Sequence, residues 1–287
     1  MVALHDMHCH LDFMTNGETV AREALLADTL LFANTVTPES WLATRDRFSE
    51  FGNVIVGFGM HPWWVSGTVD DSSIENGKRL AESQRAEHRR LAHEAEAAIP
   101  VHDQRAQKRR KEVARLLEEH DPTFIGEIGL DFGWRHQASK NTQLEMFEAI
   151  ARWAASRQGK LISLHSIKAA RETLDILEAS GALASCTCLF HWFSGSSDLL
   201  KRAIDAGCYF SCGVRMLATG KGREYVKAIP ANRLLLETDA PPERDTAYSF
   251  AAMQADLESV AQSIASIKGK AALETIEQTA RELLGRR

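Results

Sequence analysis

The chain has 287 residues, 44% hydrophobic and 25% charged, enough to bury one large α/β core or two ordinary ones. Its net charge of −5 supplies no general attraction to nucleic acid, and no run approaches the roughly 18 apolar residues of a membrane helix. The N-terminus lacks a basic start followed by an apolar stretch, so no secretory signal is expected; the five cysteines, odd in number and without a C-x-x-C pair, read as reduced buried thiols of a cytoplasmic protein.

Short apolar runs that read as buried strands recur along the chain. In order they are "ALHDMHC", "TLLFANTV", "NVIVGFGM", "TFIGEIGL", "KLISLHS", "CTCLFHW", "CYFSCGV" and "RLLLETD", eight in all. Between them lie segments of helical periodicity such as "NTQLEMFEAIARWAASRQ". Alternating strands and helices imply a parallel sheet. Eight units in this length predict an α/β fold, a closed (β/α)8 TIM barrel forming one domain over residues 1–287. A doubly wound open sheet is the alternative, but no G-x-G-x-x-G or P-loop opens a helix to favour it. One segment breaks the rhythm. About sixty residues separate "GMHPWW" from "TFIGEIGL", much of them charged and helical, with a break at Pro100. Val113 to Glu119 reads as the barrel's third helix, and residues 67–110 as a helical insertion between strands 3 and 4. The cluster "RAQKRRK" inside it reads as a basic stripe on a solvated helix, with a phosphate contact as the alternative.

The strand ends carry the chemistry. His8 and His10, two residues apart, project to one face at the end of the first strand. His61 closes the third strand, Glu127 lies in the fourth, His165 and His191 close the fifth and sixth, and Asp239 closes the eighth. Burying so many ionisable groups at one rim of a barrel is costly unless something charged pairs with them. Four imidazoles with two carboxylates exceed what one tetrahedral ion needs. Two ions sharing a carboxylate, about 3.5–4 Å apart, suit the count, and Glu127 is a candidate bridge. Imidazole with carboxylate fits zinc, manganese, iron or cobalt better than calcium.

The motifs "HCHLDF", "GMHPWW", "FIGEIGLDFG", "SLHS", "HWFSGS" and "LLLETDAPP" resemble those of the TatD-type metal-dependent hydrolases, in the same order, from about Met7 to Pro242. The resemblance implies a TIM barrel with a two-metal site (zinc, manganese or magnesium) and phosphodiesterase activity, commonly that of a deoxyribonuclease. It implies that His8, His10 and Asp239 hold one metal, that His165 and His191 hold the other, and that Glu127 bridges them. Asp239 would also take the proton of the attacking water, and His61 would line the pocket near the substrate phosphate.

The chain also departs from the family pattern. Ile167, followed by Lys168, stands where an arginine usually follows "LHS", and "ERDTAYSF" replaces the usual basic loop after "ETDAPP". Arg135, Lys168, Arg215 and Lys221 are candidate replacements for the missing phosphate contacts. Three functions are therefore carried forward. The first is a phosphodiesterase, with single-stranded DNA among its candidate partners. The second is a metallohydrolase of a small C–N or ester substrate, and the third a non-catalytic metal-binding scaffold. Retention of Asp239 argues against the scaffold.

Overall fold

The computed structural model describes residues 2–65 and 99–285, residues 99–103 by backbone alone. All eight expected strands form: β1 (Asp6–Cys9), β2 (Leu31–Asn34), β3 (Val54–Met60), β4 (Phe124–Asp131), β5 (Leu161–Ile167), β6 (Thr187–His191), β7 (Tyr209–Cys212) and β8 (Leu234–Leu236). They run parallel in the order β1 to β8, with helices between them, as a (β/α)8 barrel. The outer helices used below are α1 (Gly17–Leu26), α2 (Pro38–Arg47), α3 (Ile99–His120) and α4 (Lys140–Arg157). No helix among the described residues is long and apolar enough to cross a membrane.

The inward-facing residues change character along the strands. Phe32, Ile55, Leu161, Leu189 and Leu235 form an apolar plug at the N-terminal end of the barrel, closed by Ala280 of the last helix and by Leu284 just after it. Two residues further along, on the same faces, stand Asn34, Ser163, His191 and Glu237, all buried. One more step on β5 reaches His165, and one more beyond β8 reaches Asp239. Apolar side chains thus hold the barrel shut below, and polar side chains fill its C-terminal mouth. A larger apolar shell packs the outward faces of the strands against the helices. Gly126 is forced by crowding inside the barrel, because a Cβ there would lie 2.1 Å from Asn34 Oδ1 and 2.7 Å from Ser163 Cβ.

Several strand ends are shorter than the sequence reading, with His61 one residue past β3, and two boundaries bear on the site. Strand β8 ends at Leu236, so Asp239 lies three residues past it, with φ +55°. Left-handed backbone of this kind ends a strand, and Asp tolerates it through its short polar side chain. The segment after β8 instead closes the barrel. Asp239 N–H donates to His8 C=O at 2.9 Å, His10 N–H donates to Ala240 C=O at 2.7 Å, and Thr238 Oγ1 donates to Asp6 Oδ2 at 2.5 Å. The second boundary concerns the insertion. Residues 67–98 of it lie outside the described residues, and 99–110 form the first half of α3, continuous with the expected barrel helix. Pro100 falls in the first turn of α3, where a missing N–H costs no helical hydrogen bond. The basic cluster on α3 is partly spent on its neighbours: Arg109 pairs with Glu39 of α2, and Arg110 with Glu145 of α4.

Candidate metal centre

The seven residues singled out in the sequence converge at the C-terminal mouth of the barrel. Glu127 lies at the centre, and its two carboxylate oxygens face different groups. Oε2 lies 3.4 Å from His8 Nε2 and 3.5 Å from His10 Nε2. Oε1 lies 2.6 Å from His165 Nδ1, 3.0 Å from His191 Nε2 and 3.5 Å from His61 Nε2. Asp239 completes the first side, with Oδ1 3.5 Å from His10 Nε2 and 4.0 Å from His8 Nε2. The side chain of Asp239 is 27% exposed, whereas none of the other six exceeds 8%. Asp239 is therefore the member of the set that meets solvent.

Several of these donors are oriented from behind. His10 Nδ1–H donates to the Asn34 carbonyl at 2.9 Å, which fixes the ring and turns Nε2 into the site. His8 Nδ1 lies 3.0 Å from Ser163 Oγ, leaving Nε2 inward and without a hydrogen-bond partner despite full burial. His61 is held the other way. Trp63 N–H donates to its Nδ1 at 3.2 Å, so the neutral ring carries its proton on Nε2, aimed at the centre. His61 Nε2 thus points into the site, 3.2 Å from His165 Nδ1.

The sequence reading missed the carboxylates behind the histidines. Asp131 Oδ2 lies 3.4 Å from His165 Nε2 and accepts from Trp63 Nε1–H at 2.7 Å, and Gly133 N–H donates to Oδ1 at 2.7 Å. Glu237 Oε2 lies 3.6 Å from His191 Nδ1 and accepts from Ser211 Oγ. Both follow from period 2: Asp131 sits four residues beyond Glu127, and Glu237 two before Asp239. That spacing was available in the sequence.

Electrostatics show what the cluster lacks. Burial pushes the Glu127 carboxyl up, but the imidazoles of His61, His191, His8 and His165 outweigh it and hold Glu127 well below the carboxylate range. Burial likewise opposes ionisation of Asp239, yet His10 and the other imidazoles bring it down to about 2. The carboxylates in turn raise His10 to about 9 and raise His165 and His191, against the desolvation that lowers each. Desolvation wins at His8, which is lowered, and at His61, which falls to about 4. Imidazoles and carboxylates thus offset one another's charge in this buried cluster, a role a divalent cation could also fill. The donor set fits one. Four tetrahedral ligands about 2.1 Å from an ion stand about 3.4 Å apart, close to the 3.4 and 3.5 Å separations around Glu127 Oε2. Those contacts are too long for strong hydrogen bonds. Three overlapping groups have donor atoms close enough to share an ion: His8, His10 and Glu127; His8, His191 and Asp239; and His61, Glu127 and His165.

Residues 5–284 match the family model "TatD related DNase". The chain belongs to the TatD-type metal-dependent hydrolases. Human "Deoxyribonuclease TATDN3" is 26% identical over 99% of this chain and 94% of its own length. The "3'-5' ssDNA/RNA exonuclease TatD" of Citrobacter koseri is 31% identical over 58% of this chain and 65% of its own. Two solved structures share the fold at 18% identity. The TatD homologue YJJV of Escherichia coli superposes with a TM-score of 0.66 over 100% of both chains. An uncharacterized amidohydrolase of Saccharomyces cerevisiae superposes with a TM-score of 0.71, over 99% of this chain and 100% of its own.

Proposed function

We propose that this TatD-family hydrolase cleaves phosphodiester bonds of nucleic acid, and that the residues around Glu127 would hold two divalent ions for that chemistry. The observation that carries the reading is the division of the Glu127 carboxylate, Oε2 toward His8 and His10, Oε1 toward His165 and His191. His8, His10 and Asp239 would hold one ion, His165 and His191 the other, and Glu127 both; zinc, manganese and magnesium are the candidates. The printed activities of the human and Citrobacter relatives support a nucleic-acid substrate. When bound, such ions lower the pKa of water from 15.7 toward ~7 and offset charge on phosphoryl oxygens.

The chain's own residues do the rest. Asp239 is ionised and faces solvent, so it can orient the attacking water and accept its proton. The water oxygen bonds phosphorus as the ester P–O bond breaks, and the leaving alkoxide takes up a proton from solvent. His61 Nε2–H can donate to a phosphate oxygen, since the ring stays neutral at physiological pH. Asp131 and Glu237 hold the rings of His165 and His191 from behind. A cytoplasmic setting is part of this proposal, supported by the reducing compartment that free cysteines suit. Elemental analysis of protein purified without chelator, with a panel of bis(p-nitrophenyl) phosphate, oligonucleotides, carboxylic esters and amides, tests the reading. Two ions per chain and phosphodiester turnover are expected; hydrolysis confined to C–N or carboxylic ester substrates would overturn it.

A further inference from the structure

Six large apolar side chains among the described residues are exposed, and their distribution is uneven. Leu25 and Leu26 end α1, at the far end of the barrel from the metal centre. The other four occupy the C-terminal ends of four consecutive strands. Trp134 follows β4 and is 66% exposed, Ile167 ends β5, Trp192 follows β6 and Val214 follows β7. Neighbouring strands are about 4.8 Å apart, so the arc spans about 14 Å over three strand steps. It borders the metal centre directly: Trp192 is the residue after His191, and Ile167 comes two after His165. Exposed apolar patches of this kind mark binding surfaces.

Cations interleave with the arc. The Arg135 guanidinium lies over the Trp134 ring at 5.0 Å, and that of Arg215 over Trp192 at 5.8 Å. Lys168, exposed like both arginines, follows Ile167. The backbone of Trp192 has φ +38°, a left-handed conformation that a bulky aromatic rarely adopts. Such outliers persist where the surrounding structure enforces them, often at binding sites.

We infer that Trp134, Ile167, Trp192 and Val214, with Arg135 and Arg215 beside them, seat the unstacked bases of a single-stranded nucleic acid leading to the cleaved phosphate. The inference rests on the nuclease reading above and adds what selects the strand. An aromatic face stacks any base, and an adjacent guanidinium attracts the backbone, giving sequence-tolerant capture of single strands. A duplex keeps its bases stacked inward and offers the arc only phosphates. The replacement of a basic side chain by Ile167 after "LHS" fits: this rim trades a phosphate contact for an apolar one.

The test compares kcat/KM for two short single-stranded oligonucleotides, one with all its bases and one abasic next to the cleaved bond. Wild-type protein should prefer the first by about 5- to 150-fold, the range one base–aromatic stack produces. Trp192→Asn suits the left-handed backbone and should collapse that preference toward unity, while Trp192→Phe should restore much of it. Fluorescence anisotropy of the labelled base-bearing strand, on metal-loaded Asp239→Asn protein with and without Trp192→Asn, should show the same loss in affinity. A preference unchanged in Trp192→Asn, or absent in wild type, would overturn the inference and leave the nuclease reading intact. If the wild-type protein neither binds nor cleaves either strand yet hydrolyses another ester, the nuclease reading fails and this inference with it.

Discussion

Replacing Asp239 by Asn separates chemistry from folding more cleanly than any other change at this centre. Asp239 sits at φ +55°, and Asn is the other common residue that accepts left-handed backbone, so the turn closing the barrel survives. The backbone bond from Asp239 N–H to His8 C=O is untouched. The charge is lost. The Asp239 carboxyl is held at about 2 against an ordinary 3.8, so its ionised form favours the metal-free fold above pH 3.8, a contribution lost as pH falls through 2. At neutral pH, removing that charge costs on the order of 2 kcal/mol. At about 2–4 °C per kcal/mol for large domains, the metal-free melting temperature should fall by about 4–8 °C and the protein stay folded at room temperature. Turnover should fall far more, because loss of a general base typically costs ~10²–10⁴-fold, or about 3–5 kcal/mol of barrel-mouth catalysis. The assay is kcat/KM on a single-stranded oligonucleotide, with bound metal quantified in the same samples. Turnover near that of the wild type with metal still bound would refute the assignment of Asp239 as proton acceptor.

Glu127→Ala should empty both ion sites, whereas His165→Ala should mainly weaken one; elemental analysis after dialysis reads the difference, and a full complement of one ion in Glu127→Ala would place the bridge elsewhere. His5, buried at the start of the barrel, supplies a stability test away from the centre. Desolvation and then the Arg281 guanidinium lower it from 6.5 to about 4, so the fold favours its neutral form. That contribution is complete above pH 6.5 and lost as pH falls to 4, on the order of 3 kcal/mol. The Asn side-chain oxygen can replace His5 Nδ1 as acceptor of Leu30 N–H, so His5→Asn should flatten urea stability between pH 6.5 and 4; an unchanged slope would show that other groups carry it. Finally, without a basic residue directly after "LHS" or a basic loop after "ETDAPP", duplex DNA should be a poor substrate. Efficient cleavage of duplex with a steep salt dependence would mean that a basic patch has replaced the missing contacts.

What was legible in the sequence was whatever one strand encodes by itself. His8 and His10 share a face because strands repeat every two residues, and each apolar run announced its own strand. What escaped depends on more than one strand. Asp131 and Glu237 stand in "GLDFG" and "LETD" as polar residues with no stated target; only barrel closure brings them behind His165 and His191, from other strands. The end of β8 escaped for the same reason. "RLLLETD" reads as strand through Asp239, yet residues beyond Leu236 bond to His8 and His10 and close the seam between β8 and β1. That seam also places the Asp239 carboxylate. A strand continued straight through Asp239 would carry its carboxylate along the barrel wall; the left-handed turn at Asp239 returns it to within 3.5 Å of His10. The step that completes the barrel therefore also completes the donor set on the Oε2 side of Glu127, and closure and chemistry share one turn.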